Sequence, residues 1–457
     1  MNLIEVHGFR ALGQNLALKV EKNEVVELTE EGSELLNDIC QATKEYSGSN
    51  MPMKRVWRSH PGFSELHKNG LFNTSDSRLS DAKIKVYELS GDINLTLNVS
   101  QQCNLKCNYC YARHSTDNMK PEIAKRSIDF LFEEFSALKR FSLSFYGGEP
   151  LLNFNTIKSA VNYAVERCAR ANLQRPEFGL TTNGTLMNYD IAEFLGSHSF
   201  HITVSVDGDK TAHDLNRKYP DGRGSYADVI KALDILKSTP GVVIGTSSVL
   251  GPQSSVIAIY EHLNDAKITD LKIEYAVDFC EGCVYAGMDR NMYLEETKKL
   301  AQICLSEILS RQPPKYKIYN NRLLLLWGNA TKRTFCPAGC ERIAVSPDGN
   351  IYPCGPAAGL NQWRIGHIDE GFDKGLEDFT HFNQEDSVRK CKDCWARHLC
   401  LGGCPLRRSD DEICEINRET TETAIGMYAA IRRSDPIALT VLVDHNFLDD
   451  DVFERII

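Results

Sequence analysis

Six short apolar, β-branched runs mark the middle of the chain, with helix-patterned segments between them: INLTLNVS (93–100), FSLSFYGG (141–148), EFGLTTNG (177–184), HITVSVDG (201–208), VVIGTSSVL (242–250) and LKIEYAV (271–277). Strands and helices that alternate in this way join through right-handed crossovers into a parallel sheet, either doubly wound or curled into a partial barrel. The clearest helical segment is PEIAKRSIDFLFEEFSALKR. Pro121 suits its first turn, and Ala124, Ile128, Leu131, Phe135 and Leu138 repeat at helical spacing. In either architecture chemistry gathers at the C-terminal ends of the strands.

The flanks differ from this core. Residues 1–90 begin with the alternating segments ALKV and EVVEL. TEEGSELLNDICQAT follows, where Thr29 suits a helix cap and Leu35, Leu36 and Ile39 share one side. A small β-plus-helix unit and a Gly- and Pro-broken linker are expected there, then a core over 91–312 and a bridge over 313–335. Beyond about 330 the alternation ends, and Gly, Pro and Cys become frequent. A loop-rich cysteine domain over 336–420 that takes its stability from metal is expected, with a C-terminal tail over 421–457 ending in the acidic DHNFLDDDVFERII.

With 457 residues, 42% of them hydrophobic and 25% charged, the chain can bury a sizeable core, and disorder is not expected. A formal charge of -10 without a long basic run argues against a nucleic-acid partner. The start MNLIEVHGFRALGQ has no signal-peptide pattern, and no run reaches the roughly 18 apolar residues of a membrane span. A soluble cytoplasmic protein is the expectation.

Sixteen cysteines in such a chain point to thiolate ligands rather than disulfides. They fall into three groups: Cys103, Cys107 and Cys110; Cys336, Cys340 and Cys354; and Cys391, Cys394, Cys400, Cys404 and Cys414. Chance alone expects about 0.02 occurrences of the first spacing, so NVSQQCNLKCNYCYARH is a strong signal. A loop at a strand end can wrap three thiolates around three corners of a cubane, which leaves one iron open; buried cysteines or a zinc knuckle are the alternatives.

This CxxxCxxC, with the aromatic Tyr109 before its last cysteine, resembles the radical S-adenosylmethionine (radical SAM) enzymes, which implies a partial (β/α)6, TIM-like α/β barrel. In that family the open iron chelates the methionine moiety of the cofactor, and an electron from the cluster splits the sulfonium to give a 5′-deoxyadenosyl radical. Catalytic roles then go to Cys103, Cys107 and Cys110. YGGEP resembles the family's motif after the second strand, in which Gly147 and Gly148 allow close approach and Glu149 holds the cofactor's ammonium; alone it could be a turn. Asn183 in TTNGTL, with Ser205 and Asp207 in SVDG, matches positions that approach ribose, carboxylate or substrate, although NG and DG are also common turn dipeptides. Arg217 resembles an arginine that pairs with the cofactor carboxylate, with a surface arginine as the alternative.

CPAGCERIAVSPDGNIYPC, with Gly349 five residues before Cys354, then CKDCWARHLCLGGCP and Cys414, resembles the cysteine-rich SPASM extension of radical SAM peptide-modifying enzymes. The resemblance implies two auxiliary [4Fe-4S] clusters, three in all: Cys336, Cys340, Cys354 and Cys404 hold one, and Cys391, Cys394, Cys400 and Cys414 the other. Two zinc sites are the alternative. Cys280 and Cys283 form a further CxxC, a thiol relay or bystanders, and Cys40, Cys168 and Cys304 are expected to pack within helices.

LALKVEKNEVVELTEEGSELLNDI resembles the strand-strand-helix start of winged-helix-like leader-recognition domains, which bind a precursor peptide by strand addition; an ordinary β cap is the alternative. The combined resemblance implies a sactipeptide- or ranthipeptide-type maturase that forms cysteine thioethers in a ribosomally made precursor peptide, with flavodoxin or ferredoxin as electron donor. Carbon–carbon or cyclophane crosslinking is the nearest rival. Maturation of an anaerobic sulfatase is another, against which the long N-terminal segment counts, and a non-catalytic iron–sulfur or zinc adaptor is a third. Asp207 and Glu274, at strand ends, are the candidates for a general base.

Overall fold

The computed structural model describes residues 2–3, 5–45, 57, 59–73, 85–87, 92–112, 114–135, 138–251, 253–275, 289–332, 336–383, 389–407 and 411–443. The chain opens with β1 (Asn2–Leu3), β2 (Val6–Ala11), β3 (Gln14–Lys19) and β4 (Glu24–Leu28), followed by the helix Glu30–Glu45. Strands β2, β3 and β4 form an antiparallel sheet, while β1 pairs with β5 (Phe72–Asn73) and β6 (Lys85–Tyr87) awaits a distant partner. Thr29 caps the helix as expected, its Oγ1 accepting from Gly32 N at 3.1 Å. Leu35, Leu36 and Ile39 are buried on one helix face against Ala17, Leu28 and Leu66. The strand VHGFRA precedes the two that the alternation predicts, because Gly8 and Arg10 interrupt its apolar register.

The core strands are β7 (Asp92–Ser100), β8 (Arg140–Gly147), β9 (Glu177–Thr182), β10 (His201–Ser205), β11 (Val243–Leu250) and β12 (Asp270–Tyr275). They pair in parallel and in consecutive order, so the sheet has no topological switch point, and the doubly wound alternative falls. Most of these strands alternate between two chemistries, because successive side chains take opposite faces; β11 is mixed, with Thr246 and Ser248 buried in the register of Leu250 and Val249 on the cavity side. Ile93, Leu95, Leu97 and Val99 on β7, with Phe141, Leu143 and Phe145 on β8, are buried in the same core as Ala124, Ile128 and Leu131 of the helix Pro121–Glu134. The opposite register is small or polar: Asn94, Thr96, Ser142, Ser144, Thr203, Ser205, Ser247 and Lys272. Asn94 Nδ2 ties two of these strands by donating to Ser142 Oγ at 2.7 Å.

The remaining strands are β13 (Ala330–Lys332), which pairs with β6, then β14 (Arg342–Val345), β15 (Asn350–Tyr352), β16 (Gly366–His367) and β17 (Gly371–Phe372). The loop-rich reading of the C-terminal region is corrected here. β14 pairs in parallel with β7, and β15, β16 and β17 continue antiparallel, so one ten-stranded sheet runs from β12 to β17. Strands of two to four residues are too short to carry a readable period. The turn between β14 and β15 needs Gly349, whose φ of 87° lies in the left-handed region.

The proposed tail boundary also needs correction. One helix, Asp411–Ser434, runs through residue 420, with Ala424, Ile425, Met427 and Ile431 fully buried. It packs against the helices Arg290–Leu309 and Asn320–Trp327 and against β2. DHNFLDDDVFERII and the Cys280–Cys283 pair lie outside the described residues.

Candidate active site

At the C-terminal ends of the parallel strands lies a cavity of about 910 Å³. Cys103, Cys107 and Cys110 line it on the loop after β7, and Cys336, Cys354 and Cys404 line it from the C-terminal region. The first loop is stitched to its neighbours by main-chain bonds: Lys106 N donates to Lys218 O at 2.7 Å, and Asn108 N to Asn216 O at 3.1 Å. Asn104 Nδ2 adds a bond to Thr185 Oγ1 at 2.8 Å. Sequence reasoning passed over Asn104 and Asn108, whose only signal was their place inside the cysteine motif.

The two glycines of YGGEP permit a close crossing of β8 over this loop. A Cβ on Gly147 would stand 2.2 Å from Ser100 O, and one on Gly148 would stand 2.2 Å from Gln102 O. Their neighbours complete the clamp, with Gly148 N donating to Ser100 O at 2.8 Å and Glu149 N to Gln102 O at 2.7 Å. The glycines thus serve an approach of backbone to backbone.

Glu149 is fully buried and stands behind the cavity wall. Its Oε1 accepts from Thr182 Oγ1 at 2.7 Å and Leu151 N at 3.0 Å, and its Oε2 accepts from Asn183 N at 2.7 Å. Burial pushes its carboxyl up, against these donors. The carboxylate therefore fixes the end of β9, where Asn183 lines the cavity and donates through Nδ2 to Asn104 Oδ1 at 2.9 Å.

Asp207, fully buried, is likewise behind the wall. It takes Arg217 in a two-point grip, Nε to Oδ2 at 2.9 Å and Nη2 to Oδ1 at 3.1 Å, and also accepts from Val249 N and the Tyr109 hydroxyl. Arg217 lies 5.2 Å from the Tyr109 ring centroid, and Arg217, Tyr109 and Ser205 all line the cavity. His213 supports the pair: its Nδ1 accepts from Asp207 N at 3.3 Å, so Nε2 carries the proton toward Ser225 Oγ at 2.9 Å. Ser225 Oγ in turn donates to Arg217 O at 2.9 Å. Burial pushes His213 down to about 4, which keeps it neutral.

Burial pushes the Cys103 thiol up to about 11 and that of Cys107 to about 12. At Cys110 burial is again the largest influence, but a 3.3 Å hydrogen bond with His114 Nε2, a backbone hydrogen bond at Ala112 and the charges of His114 and Arg217 together outweigh it, and the thiol titrates lower than usual. Two further pairings line the cavity; sequence reasoning named Glu274 but neither its partner nor the tyrosines. Tyr111 and Tyr146 meet hydroxyl to hydroxyl at 2.8 Å, and Lys272 Nζ stands 3.1 Å from Glu274 Oε2. Alternation along β8 and β12 hinted at Tyr146 and Lys272, while Tyr111 sits on the loop after β7 and had no such signal.

Among the C-terminal thiols, that of Cys354 feels those of Cys336 and Cys404, with burial as the main reason it is pushed up to about 12. Cys340 feels Cys336, and Cys400 feels Cys394 and Cys391. Cys414 lies in the first turn of the long helix Asp411–Ser434. Among the described residues no three His, Cys, Asp or Glu side chains are close enough to hold a single metal ion. The fit to an iron–sulfur group rests on the donor set, since soft thiols are what line the cavity from both sides. Cys168 and Cys304 are buried in helices and Cys40 is half-buried in another.

Residues 97–266 match the family model described as the radical SAM superfamily. The chain carries a radical SAM domain. That domain implies S-adenosylmethionine and one [4Fe-4S] cluster, for which Cys103, Cys107 and Cys110 are the thiols at hand. An uncharacterized protein of Methanocaldococcus jannaschii is 37% identical over 33% of this chain and half of its own length. A cysteine-type anaerobic sulfatase-maturating enzyme of Clostridium perfringens is 26% identical over 70% of this chain and 90% of its own. Among solved structures, anSMEcpe with bound AdoMet and Kp18Cys peptide has a TM-score of 0.65 at 25% identity, over 75% of this chain and 99% of that one. Streptococcus suis SuiB bound to precursor peptide SuiA has a TM-score of 0.50 at 16% identity, over 89% and 96%. Among the described residues no helix is long and apolar enough to cross a membrane.

Proposed function

We propose that this radical SAM enzyme modifies a ribosomally synthesised precursor peptide, forming intramolecular cysteine thioether crosslinks, and that its C-terminal cysteines form a SPASM domain with two further [4Fe-4S] clusters. The observation that carries this reading is the shared cavity, walled by Cys103, Cys107 and Cys110 on one side and Cys336, Cys354 and Cys404 on the other. Its size suits a peptide side chain beside a nucleoside cofactor. The peptide complexes among the structural neighbours support the substrate class.

Bound between the Cys103–Cys110 loop and the ends of β8, β9 and β10, S-adenosylmethionine and its cluster would supply a 5′-deoxyadenosyl radical. The chain's own residues orient and protect. Arg217, held by Asp207, offers a fixed cation to a carboxylate, and Asn183 and Ser205 offer hydrogen bonds beside it. Glu274, paired with Lys272, is the carboxylate positioned to take a thiol proton, in preference to Asp207, whose oxygens are already bonded. The N-terminal sheet offers its edge strands to a leader peptide. Flavodoxin or ferredoxin in the cytoplasm would supply electrons.

Maturation of a sulfatase is the second reading, favoured by the match along 90% of the Clostridium enzyme. Anaerobic reconstitution tests both. Formation of 5′-deoxyadenosine with loss of two hydrogens from a Cys-containing peptide, its thiol then blocked from alkylation, supports the thioether. A formylglycine product from a sulfatase peptide supports the rival, and absence of 5′-deoxyadenosine sinks both.

A further inference from the structure

Of the lysines and arginines that line the main cavity, three face a carboxylate: Lys317 meets Asp270 at 3.0 Å, Lys272 meets Glu274 at 3.1 Å, and Arg217 is gripped by Asp207. Arg322 and Arg342 line it too, and neither has a carboxylate partner among the described residues. Arg342 is exposed, so water answers its charge. Arg322 is only 7% exposed, and a guanidinium so far removed from water is costly without an anion.

The groups that hold Arg322 leave its charge in place. Nε donates to Thr421 Oγ1 at 3.0 Å, Nη2 to Asn417 Oδ1 at 3.2 Å and Nη1 to Ile318 O at 3.3 Å, all of them neutral acceptors. A guanidinium carries five N–H groups, so one on Nη1 and one on Nη2 remain for a ligand, and a carboxylate takes such a pair with its two oxygens. The wall around it is apolar. Leu324 on the helix Asn320–Trp327, Ile413 and Ile416 on the helix Asp411–Ser434, and Val441 and Leu442 on the short helix Pro436–Leu442 line the same cavity, and these three helices pack on one another. Two more groups of this wall need partners: the Tyr316 hydroxyl and Asn320 Oδ1 are buried and make no hydrogen bond among the described residues. An acidic residue of a peptide supplies what all three lack, a carboxylate for the guanidinium and the hydroxyl and a main-chain N–H for Asn320.

We propose that Arg322 is a specificity-determining residue that binds a carboxylate of the peptide, so that the enzyme selects a peptide with Asp or Glu near the residue it modifies; this rests on the reading of the substrate as a peptide. A side-chain carboxylate and a free chain end present the same group, and the test separates them.

The full chain, reconstituted anaerobically with iron and sulfide and loaded with S-adenosylmethionine, is immobilised and offered a pool of synthetic Cys-containing peptides of random sequence. The pool is made once with free and once with amidated C-termini. Mass spectrometry of the retained peptides gives the ratio of Asp and Glu to Asn and Gln. The wild type is expected to favour the acidic peptides about tenfold or more, as one hydrogen-bonded charge pair implies. Arg322→Gln, compared at equal iron content, should bring that ratio close to one, and Arg322→Lys should restore part of it. A preference that follows the free C-terminus would support the carboxylate site and give it to the chain end. Equal retention of acidic and amide peptides by the wild type would overturn the proposal whether or not the variants fold, as would a preference unchanged in Arg322→Gln. Retention of no peptide at all would overturn the peptide reading, and the Arg322 proposal with it.

Discussion

Asp207 holds Arg217 at two nitrogens, Nε at 2.9 Å and Nη2 at 3.1 Å, while Nη1 has no partner among the described residues and Arg217 lines the cavity. The carboxylate that sequence reasoning assigned to the cofactor thus fixes the cation that faces it. Asp207→Asn leaves a buried guanidinium uncompensated and is expected to cost about 3–5 kcal/mol. Urea unfolding of the metal-free chain measures it. Arg217→Met in the same chain should recover part of the loss, and strict additivity of the two substitutions would show that they do not act as a pair.

The crossing of β8 over the cysteine loop gives a sharper local test. Gly148→Ala places a methyl 2.2 Å from Gln102 O, an atom fixed by its bond from Glu149 N. Relieving that overlap shifts the backbone that carries Cys103. A loss of roughly 1–3 kcal/mol and of iron from the first cluster is expected. Unchanged iron content in a chain with Cys336, Cys354 and Cys391 also replaced by Ala would contradict this.

His213 links the same network to pH. Its folded value, pushed down by burial to about 4, lies below the unfolded value of about 6.5. Between these two values the unfolded chain binds a proton that the folded chain refuses. The His213 contribution is therefore complete above about pH 6.5 and is lost as pH falls toward 4, amounting to roughly 2 kcal/mol by pH 5. Stability of the metal-free chain at pH 7.5 and pH 5 should show a smaller difference in His213→Gln. An equal difference would place the titration elsewhere.

The two cysteine walls should separate by function. Cys103→Ala, Cys107→Ala or Cys110→Ala is expected to abolish 5′-deoxyadenosine formation. Cys354→Ala, across the cavity, is expected to retain it while losing the modified peptide. Mass spectrometry of both products reads the split, and nucleoside formed by the Cys107 variant would remove the basis for the first loop's role.

The parallel core was legible because most of its strands write their two faces in alternate letters. INLTLNVS separates Ile93, Leu95, Leu97 and Val99 from Asn94, Thr96 and Asn98 without help from tertiary structure. Strands β14 to β17 were not legible, since two to four residues cannot show a period and their stability comes from the β7 edge. The cysteine groups could be read from spacing alone. The direction in which Glu149 and Asp207 point could not, because a motif names a residue at a strand end and does not say on which side of the wall its carboxylate falls.

The β7–β14 ladder has a consequence for anyone dividing this chain. Residues 97–266 look excisable, but one edge of that sheet is the long apolar strand Asp92–Ser100, covered in the whole protein by Arg342–Val345. A chain ending at residue 335 would present that edge bare, with four hydrophobic side chains behind it and no charge or proline within Ile93–Ser100 to deter pairing. Such a fragment should associate through its own sheet, visible as oligomers in sedimentation. The C-terminal region then acts as a cover for the core as well as a second wall, so the two halves are one unit of solubility.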